Sequence, residues 1–464
     1  MRTKLARSAA TLATALALVA GNAAGAVAGN PGSTGDPGET GGTGTTGYAA
    51  SAANAFRPSG DEGRSDPAPS LPEVRAALIR VMDAGAPGAF AVVRDHLHPE
   101  LNGSLAVGEA DLDGTPMWAD ARFRVGSNTK MFTSVLALRL AEQGRLDLDK
   151  PLRDYLPSGT IPASWPITAR QVLEHRAGVY DHVNDLLEQS GEETTAAFEA
   201  RIRDTVYDPR ALVSLSVKHG LQFPPGSAYA YTNTGFVLMG LVAEHLTGRP
   251  YAELLREQIL APLGLRRTSF TVPAKRIVGP HASGYLTHDD PREPLLDATE
   301  QTGSWIWSAG GIVSSARDLD RFLTALLAGS AGGLISDDSL RQMTRSLPTG
   351  VTRIAYGLGL RQIVLSCGVV LGHGGIVQGY QSQAFATPDG HRTVVVFANA
   401  SNNGAVTQGL MDALEPAFCG PVQATAPRRS STATHAPAVD NQASNQASNR
   451  TSVPAVPAVE DARM

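Results

Sequence analysis

Short hydrophobic runs bounded by turn residues predict β-strands near both ends of the central part of the chain. Residues 89–94 and 104–107 lie on either side of a polar turn at 99–103, which is the pattern of a β-hairpin. Further along, residues 363–371, 381–386 and 393–398 predict three more strands, with a turn at 388–391 between the last two.

Between these strands the hydrophobic spacing becomes helical. Gly144 and Gly248 stand where helices are expected to end, because glycine readily adopts the left-handed conformation of a C-terminal cap. Strands at both ends with helices between them predict one sheet built from the two termini, with a helical region inserted at about 150–300. The predicted helices cover residues 127–143, a short segment after the capping box at Thr168, residues 234–246 and the segment after Ser315.

Both ends of the 464-residue chain are biased in composition. Residues 1–28 combine basic residues, an apolar stretch and a small-residue cleavage site, the pattern of a secretory signal peptide. The alternative, a membrane anchor, needs about 20 apolar residues, and this stretch is shorter. Residues 29–70 and 423–464 predict a disordered linker and a disordered tail or propeptide. We therefore expect a folded core at 71–422 in a secreted, extracellular protein without a membrane anchor.

Charge and cysteine content exclude several classes of function. The net charge of -5 without a basic stripe argues against a nucleic-acid partner. Cys367 and Cys419 would lie in an oxidising compartment, so we expect one disulfide closing a loop of about 50 residues and worth about 4 kcal/mol. Two buried free thiols are the alternative. Without a cysteine cluster or a His-Glu-x-x-His motif, no metal site and no cofactor are expected.

The candidate chemistry begins at Ser127 and Lys130. A serine hydroxyl must lose its proton to a neighbouring base as it attacks, and residues at i and i+3 share one face of a helix. Lys130 is the only one of the five lysines with a serine three positions earlier, and its flanks are largely apolar. The N-terminus of this helix also offers a backbone N–H and a positive dipole to an oxyanion. A solvated lysine on a surface helix is the alternative.

Two further segments could complete such a site. A loop just before a helix could present the Tyr231 hydroxyl and the Asn233 amide inward, and share the proton of Lys130. The alternatives are a half-buried core tyrosine and a plain helix cap. The glycine-rich segment around His373, at residues 372–375, is expected to be a turn before a strand that runs to residue 386, beside which a peptide-like substrate could lie.

In order and spacing, these three elements resemble the penicillin-recognising serine hydrolases, the family of class C β-lactamases, D-alanyl-D-alanine carboxypeptidases, D-aminopeptidases and related esterases. The likeness is closest to the soluble, secreted D-alanyl-D-alanine carboxypeptidase/transpeptidase type and extends over about residues 85–420. Supporting stretches are residues 123–127, 146–149, 168–172, 284–287, 299–302, 304–305, 356–361, 365–368, 375–380 and 417–420.

The resemblance implies an α/β (α+β) fold of the β-lactamase/transpeptidase type, with a five-stranded antiparallel sheet flanked by helices plus an all-helical region. It implies a monomeric enzyme that acts on peptidoglycan stem peptides through an acyl-enzyme and is acylated by β-lactams. Ser127 would attack the penultimate D-Ala carbonyl, and Tyr231, polarised by Lys130, would shuttle the proton. Asn233 would orient Lys130 and the substrate amide, and His373 would tune Tyr231. The N–H groups of Ser127 and Ile376 would bind the oxyanion. The pocket would be lined by Gly374, Gly375, Trp305, Gln378 and Arg361, and Arg361 would hold the terminal carboxylate.

The departures from the family pattern concern specificity. Gly374 and Ile376 stand where carboxypeptidases carry threonines whose hydroxyls help Arg361 to bind the carboxylate, and the loss of each hydrogen bond could cost about 1.5 to 3 kcal/mol. Leu187 replaces an expected aromatic residue. We therefore expect a D-alanyl-D-alanine carboxypeptidase with possible transpeptidation. The alternatives are an esterase, D-aminopeptidase or β-lactamase of the same fold, or a non-catalytic cell-wall binding protein.

Overall fold

The computed structural model describes residues 67–187 and 194–421. The expected signal peptide at 1–28 and the expected tail at 423–464 lie outside the described residues, as does the expected linker up to residue 66. All described residues fall within one compact unit of the chain. Among them, no helix is long and apolar enough to cross a bilayer.

The main sheet joins the two ends of the described chain, as the strand pattern predicts. Its strand order is β2-β1-β13-β12-β11-β10-β9-β8, and all neighbours are antiparallel. The sheet therefore has eight strands, three more than the expected five. The strands are β1 (Gly88–Asp95), β2 (Gly103–Gly108), β8 (Leu347–Pro348), β9 (Ile354–Tyr356), β10 (Arg361–Leu365), β11 (Gly368–Val377), β12 (Tyr380–Ala386) and β13 (Arg392–Ala398).

The helices divide between the two faces of this sheet. Their bounds are α1 (Leu71–Asp83), α2 (Thr129–Glu142), α3 (Ala169–Leu173), α4 (His182–Leu187), α5 (Thr194–Ala197), α6 (Pro209–Val217), α7 (Asn233–Thr247), α8 (Tyr251–Leu255), α9 (Trp307–Gly310), α10 (Ala316–Leu327), α11 (Asp337–Thr344), α12 (Gly404–Asp412) and α13 (Leu414–Cys419). Single turns of 3-10 or π-helix occur at Pro99–Leu101, Gly126–Asn128, Leu152–Tyr155, Phe198–Ile202, Arg256–Leu260 and Gly329–Gly332.

Strand β13 is hydrophobic at successive positions because it is covered on both faces. Val394 and Val396 pack in one core with α1, α12 and α13, whereas Val395 and Phe397 pack in the larger core that includes α2, α7 and α10. A strand buried on both faces loses the alternation of a half-exposed strand. The helical layer therefore meets the inner face of the sheet, and the terminal helices cover its outer face.

The helix boundaries predicted from capping residues are confirmed. The side chain of Thr168 accepts a hydrogen bond from the backbone N–H of Gln171 and completes a capping box at the start of α3. Ser315 caps α10, and Gly248 ends α7 with a φ of 69°. Each cap satisfies backbone groups that a helix end leaves without partners, which is why local sequence identifies it.

The prediction of a single strand at residues 363–371 is wrong. The structure divides it into β10 and β11, joined by a tight turn at Ser366 and Cys367. The backbone N–H of Ser366 bonds to the Glu415 carboxylate, and Cys367 forms the predicted disulfide with Cys419 of α13. The apolar residues on both sides of the turn conceal it in the sequence, because the interaction that fixes it comes from a distant helix.

The prediction of a turn at the glycine-rich segment 372–375 is also wrong. It lies inside β11 rather than in a turn before it, and the chain turns later, where Gly379 has a φ of 87° and leads into β12. A Cβ on Gly372 would lie 2.1 Å from the carbonyl oxygen of Ala384 on β12. The glycines therefore permit close packing within the sheet rather than a change of chain direction.

Two small sheets connect the helical layer to the main sheet. Strands β3 (Phe123–Arg124), β4 (Ser269–Phe270) and β7 (Ile312–Ser314) form one, in the order β3-β7-β4. Strands β5 (Tyr285–Leu286), β6 (Leu296–Asp297) and β14 (Ala400–Ser401) form the other, in the order β14-β5-β6. The backbone N–H of Val125 donates to the carbonyl of Ile312 over 3.0 Å, which fixes the chain just before Ser127.

Candidate active site

Ser127 lies on a tight turn between β3 and α2. The turn is a single 3-10 turn at Gly126–Asn128, and Gly126 has a φ of 52°. A Cβ on Gly126 would lie 2.6 Å from the carbonyl oxygen and 2.9 Å from the nitrogen of Ile376. Only glycine allows both this backbone conformation and this approach to β11. The turn therefore holds the Ser127 hydroxyl at the junction of the helical layer and the sheet.

Lys130 is buried beside Ser127 with three acceptors around its amine. Its side chain is 0% exposed, and Nζ lies 3.0 Å from Ser127 Oγ. The other two contacts of Nζ are Asn233 Oδ1 at 2.7 Å and the carbonyl oxygen of Ala309 in α9 at 3.0 Å. Burial lowers the pKa of Lys130 to about 7, an effect that the charge of Asp181 opposes and the charge of Arg361 increases. The alternative of a solvated surface lysine is thereby excluded.

The three contacts of Nζ determine which neighbouring group can give a proton to a neutral Lys130. The side-chain oxygen of Asn233 and the carbonyl of Ala309 can only accept hydrogen bonds, so both require N–H donors from the amine. The Ser127 hydroxyl can also donate. Once Lys130 loses one proton, Ser127 is the contact that can reverse and donate to the lone pair of Nζ. The geometry therefore makes Lys130 a direct base for Ser127.

Tyr231 contacts Ser127 from the loop that precedes α7. Its hydroxyl donates to Ser127 Oγ over 2.7 Å, and Lys130 Nζ lies 4.7 Å from the centre of its ring. Burial raises the pKa of Tyr231, so this side chain stays a phenol and a proton donor in the resting site. The family resemblance implies that Lys130 polarises Tyr231. The structure brings both groups together at the oxygen of Ser127.

Asn233 connects Lys130 to a carboxylate that the sequence analysis did not identify. The Nδ2 atom of Asn233, the first residue of α7, donates to Asp181 Oδ2 over 2.8 Å. Thr232 occupies the N-cap position without a side-chain capping hydrogen bond, and Asn233 is therefore not the N-cap residue. Asp181 precedes α4 by one residue, and no spacing relates it to Ser127 in the sequence. Its charge raises the pKa of Lys130 and so limits the effect of burial.

His373 contacts Tyr356, a second residue that the sequence analysis missed. The Nε2 atom of His373 lies 2.8 Å from the Tyr356 hydroxyl, and Nδ1 lies 2.5 Å from the carbonyl oxygen of Gly374. Because a carbonyl only accepts, Nδ1 carries the proton and Nε2 accepts from Tyr356. Burial, together with the charges of Arg361 and Lys130, lowers the pKa of His373 well below its usual value. His373 is therefore a neutral acceptor.

The ring of His373 lies 6.2 Å from that of Tyr231 between centres. A second buried histidine, His175, packs 4.2 Å from Tyr231 and 4.6 Å from Tyr356. The expected tuning of Tyr231 by His373 would therefore act through this aromatic cluster rather than through the hydrogen bond of His373, which goes to Tyr356.

Strand β11 presents an edge beside Ser127. Strand β10 pairs with β11 only as far as Arg361 opposite Gly372, so residues 373–377 are not paired with β10. A Cβ on Gly375 would lie 1.9 Å from the carbonyl oxygen of Val125, which places this part of β11 directly against the nucleophile turn. The edge offers a place for an extended substrate, with Ser127 and Ile376 as the expected N–H donors to an oxyanion.

The other predicted pocket residues are buried near these elements. The carbonyl of Trp305 accepts from His182 Nε2 over 2.8 Å, and the carbonyl of Gln378 accepts from Gln301 Nε2 over 2.7 Å. Arg361 is 2% exposed at the start of β10. Their contacts with substrate remain predictions. In the described parts of the chain, no three His, Cys, Asp or Glu side chains are arranged to hold a metal ion.

Comparisons with known proteins identify a matching family and similar structures. A family model described as Beta-lactamase matches residues 74–414. The D-aminopeptidase of Cereibacter sphaeroides is 30% identical over 356 residues, which is 73% of this chain and 63% of that protein. Penicillin-binding protein 4* of Bacillus subtilis is 26% identical over 319 residues, or 66% of each chain. The crystal structure of a D-stereospecific amidohydrolase from Streptomyces sp. is similar with a TM-score of 0.67 and 32% identity, over 76% of this chain and 100% of that chain.

We predict that Asp181→Asn moves the acid limb of the pH profile of kcat/KM to lower pH. The negative charge of Asp181 raises the pKa of Lys130, so its removal lowers that pKa and yields a neutral amine at lower pH. Hydrolysis of an activated phenyl ester measures the profile. Asp185→Asn is the matched control, because this carboxylate in α4 bonds to Tyr180 and His219 instead. An acid limb that stays in place or moves to higher pH contradicts the assigned role.

We predict that Gly375→Ala slows acylation of Ser127 by about 100-fold or more, since a displacement of about 1 Å suffices for such a loss. The new Cβ would force the carbonyl of Val125, 1.9 Å away, and the Asn128 side chain, 2.7 Å away, to move with the nucleophile turn. Single-turnover reaction with the same ester measures the rate, and thermal unfolding shows whether the variant is folded. A folded variant with the wild-type rate contradicts the prediction.

Proposed function

We propose, since this chain belongs to the Beta-lactamase family of serine hydrolases, that it is a D-alanyl-D-alanine carboxypeptidase that acts on peptidoglycan stem peptides and is inhibited by penicillin. The β-lactamase-like α/β fold expected from the sequence is confirmed by the family match and by the similar amidohydrolase structure. The observation that carries the proposal is the position of Ser127 Oγ, 3.0 Å from Lys130 Nζ and 2.7 Å from the Tyr231 hydroxyl.

Acylation begins when Ser127 Oγ attacks the carbonyl carbon of the penultimate D-Ala and its proton passes to neutral Lys130. The carbonyl oxygen becomes an oxyanion, which the N–H groups of Ser127 and Ile376 stabilise. The tetrahedral intermediate then expels the terminal D-Ala. The amine of the departing D-Ala takes a proton from Tyr231, and the protonated Lys130 then returns one to the tyrosinate. The acyl group remains as an ester on Ser127.

Deacylation uses the same groups in the opposite direction. A water molecule gives a proton to the Lys130 and Tyr231 pair as its oxygen attacks the ester carbonyl, and Ser127 recovers a proton when the ester breaks. A second peptide with a free amine could replace water, in which case the product is a cross-linked peptide. The proposed enzyme is thus a hydrolase that can also act as a transpeptidase.

The proposed D-configuration of the substrate has support from the relatives. The names D-aminopeptidase and D-stereospecific amidohydrolase both specify D-residues, and a penicillin-binding protein is a third relative. Arg361 provides a cation for a terminal carboxylate at the end of the β11 edge. The proposed site of action is outside the cell, as the signal-peptide pattern predicts, and the proposed enzyme is a monomer without a cofactor.

A D-aminopeptidase is the second candidate, and a specific observation favours it. Gly374 and Ile376 provide no side-chain hydroxyl to assist Arg361 in binding a carboxylate. The D-aminopeptidase relative is longer than this chain, which covers 63% of it, so its activity is a proposal here. An esterase and a β-lactamase would use the same nucleophile.

We predict that a labelled penicillin forms one covalent adduct on the purified protein, detected by intact mass and mapped to Ser127. Ser127→Ala should abolish the adduct, whereas Ser227→Ala should not, because Ser227 is exposed in the loop before Tyr231. The absence of an adduct in the wild type contradicts the proposal. An adduct that is rapidly lost as hydrolysed penicillin indicates a β-lactamase instead.

A stable adduct leads to a second comparison, between N-acetylated and free-amine peptides that contain D-Ala-D-Ala. Release of D-Ala from the acetylated peptide supports the carboxypeptidase. Hydrolysis confined to the peptide with a free amine supports the D-aminopeptidase and contradicts the first candidate.

A further inference from the structure

We propose that His175 is a positioning residue, which holds Tyr231 where its hydroxyl can give a proton to the leaving group. This inference rests on the proposed function of the Ser127 site, in which Tyr231 is that proton donor. His175 would act through Tyr231 rather than by contact with the substrate.

Tyr231 lies in a segment that secondary structure does not fix. Residues 229–232 form neither helix nor strand, and α7 begins only at Asn233. A group that transfers a proton must stay within hydrogen-bond distance of the atom that it protonates. Contacts from another part of the chain therefore have to hold the Tyr231 side chain in place.

His175 supplies such contacts on both sides of Tyr231. Its carbonyl oxygen accepts a hydrogen bond from the backbone N–H of Ala230 over 2.9 Å. Its ring atom Nδ1 accepts one from the backbone N–H of Thr232 over 3.2 Å. The imidazole ring itself packs against the phenol ring, with 4.2 Å between the two centres. One residue thus fixes the backbone before and after Tyr231 as well as the plane of its side chain.

The backbone of His175 indicates that the side chain is the reason for a histidine here. His175 has a φ of 57° just after α3, where its N–H donates to the carbonyl of Val172 over 3.1 Å. The next N–H, of Arg176, donates to the carbonyl of Gln171 over 2.7 Å. These two bonds form a Schellman motif, whose left-handed residue is usually glycine. A residue with a Cβ is strained there, so the position retains histidine in spite of the helix end rather than because of it.

The imidazole of His175 is a fixed acceptor rather than a proton carrier. Its side chain is buried, and burial together with the charge of Lys130 lowers the pKa of His175 well below its usual value. Because Nδ1 accepts from Thr232, the single proton of the neutral ring is on Nε2. The Nε2 atom has no hydrogen-bond partner in the described structure. The polar contact that the ring contributes is therefore the one to the residue after Tyr231.

The test compares an ethyl ester and a nitrophenyl ester that share one D-Ala acyl group. Ethoxide needs a proton from Tyr231 as it leaves, whereas nitrophenolate leaves without one. Each ester is made with a free and with an acetylated amine, and the form that is hydrolysed faster is used. The quantity measured is the ratio of kcat/KM for the ethyl ester over the nitrophenyl ester, because this ratio does not depend on the fraction of folded enzyme.

Three variants show whether His175 positions the proton donor. His175→Leu removes the acceptor, and the ratio should fall about 100-fold, the loss expected when a catalytic group moves by about 1 Å. His175→Asn keeps an acceptor near the position of Nδ1 and tolerates a positive φ, so it should recover most of that loss. Phe418→Leu is the matched control. It also removes a buried ring, but from the core on the outer face of the sheet, and it should keep the wild-type ratio.

A wild-type ratio in His175→Leu overturns the inference, as do equal losses in His175→Leu and His175→Asn, or an equal loss in Phe418→Leu. In each case Ser127 still hydrolyses the esters, so the proposed function stands. A wild type that hydrolyses the esters but no D-Ala-D-Ala peptide contradicts the proposed function, and the same ratio still decides the role of His175. Hydrolysis of neither ester overturns both.

Discussion

The burial of the Lys130 amine is the interaction on which the rest of the site depends. The first helix of the helical layer is covered on nearly all sides, so the amine cannot reach water and must take its acceptors from the protein. These come from the nucleophile turn, from Asn233 about a hundred residues later, and from the carbonyl of Ala309. Because burial removes the amine from water, the pKa of Lys130 falls to about 7, and a lysine becomes a base at neutral pH.

Glycines allow the sheet and the helical layer to approach closely enough to complete this site, and each provides space for a different group. Gly126 admits the backbone of Ile376, Gly375 admits the carbonyl of Val125, and Gly374 admits the amide of Gln383. The first two contacts fix the nucleophile against the strand. The third lies on the opposite face of the sheet, where the Gln383 side chain fills the space that a side chain on residue 374 would occupy. These glycines thus act through the side chains that they lack.

Local sequence was sufficient for those features whose cause is local. Capping at Thr168, Ser315 and Gly248 was predictable because neighbouring residues satisfy the helix ends, and the spacing of Ser127 and Lys130 indicated the nucleophile and its base. Features fixed by distant contacts were not predictable. The turn between the tenth and eleventh strands depends on the Cys367 disulfide and a remote carboxylate. The residues Asp181 and Tyr356 become part of the site only through the folded geometry.

The central claim is that Lys130 is neutral at physiological pH and therefore able to accept the proton of Ser127. With only five lysines in the sequence, lysine labelled with ¹³C at Cε gives a simple NMR spectrum, and Lys130→Met identifies the relevant signal by its loss. We predict that this signal titrates near pH 7, well below the ordinary lysine value of about 10.4. A Lys130 signal that titrates near the ordinary lysine value would contradict the claim.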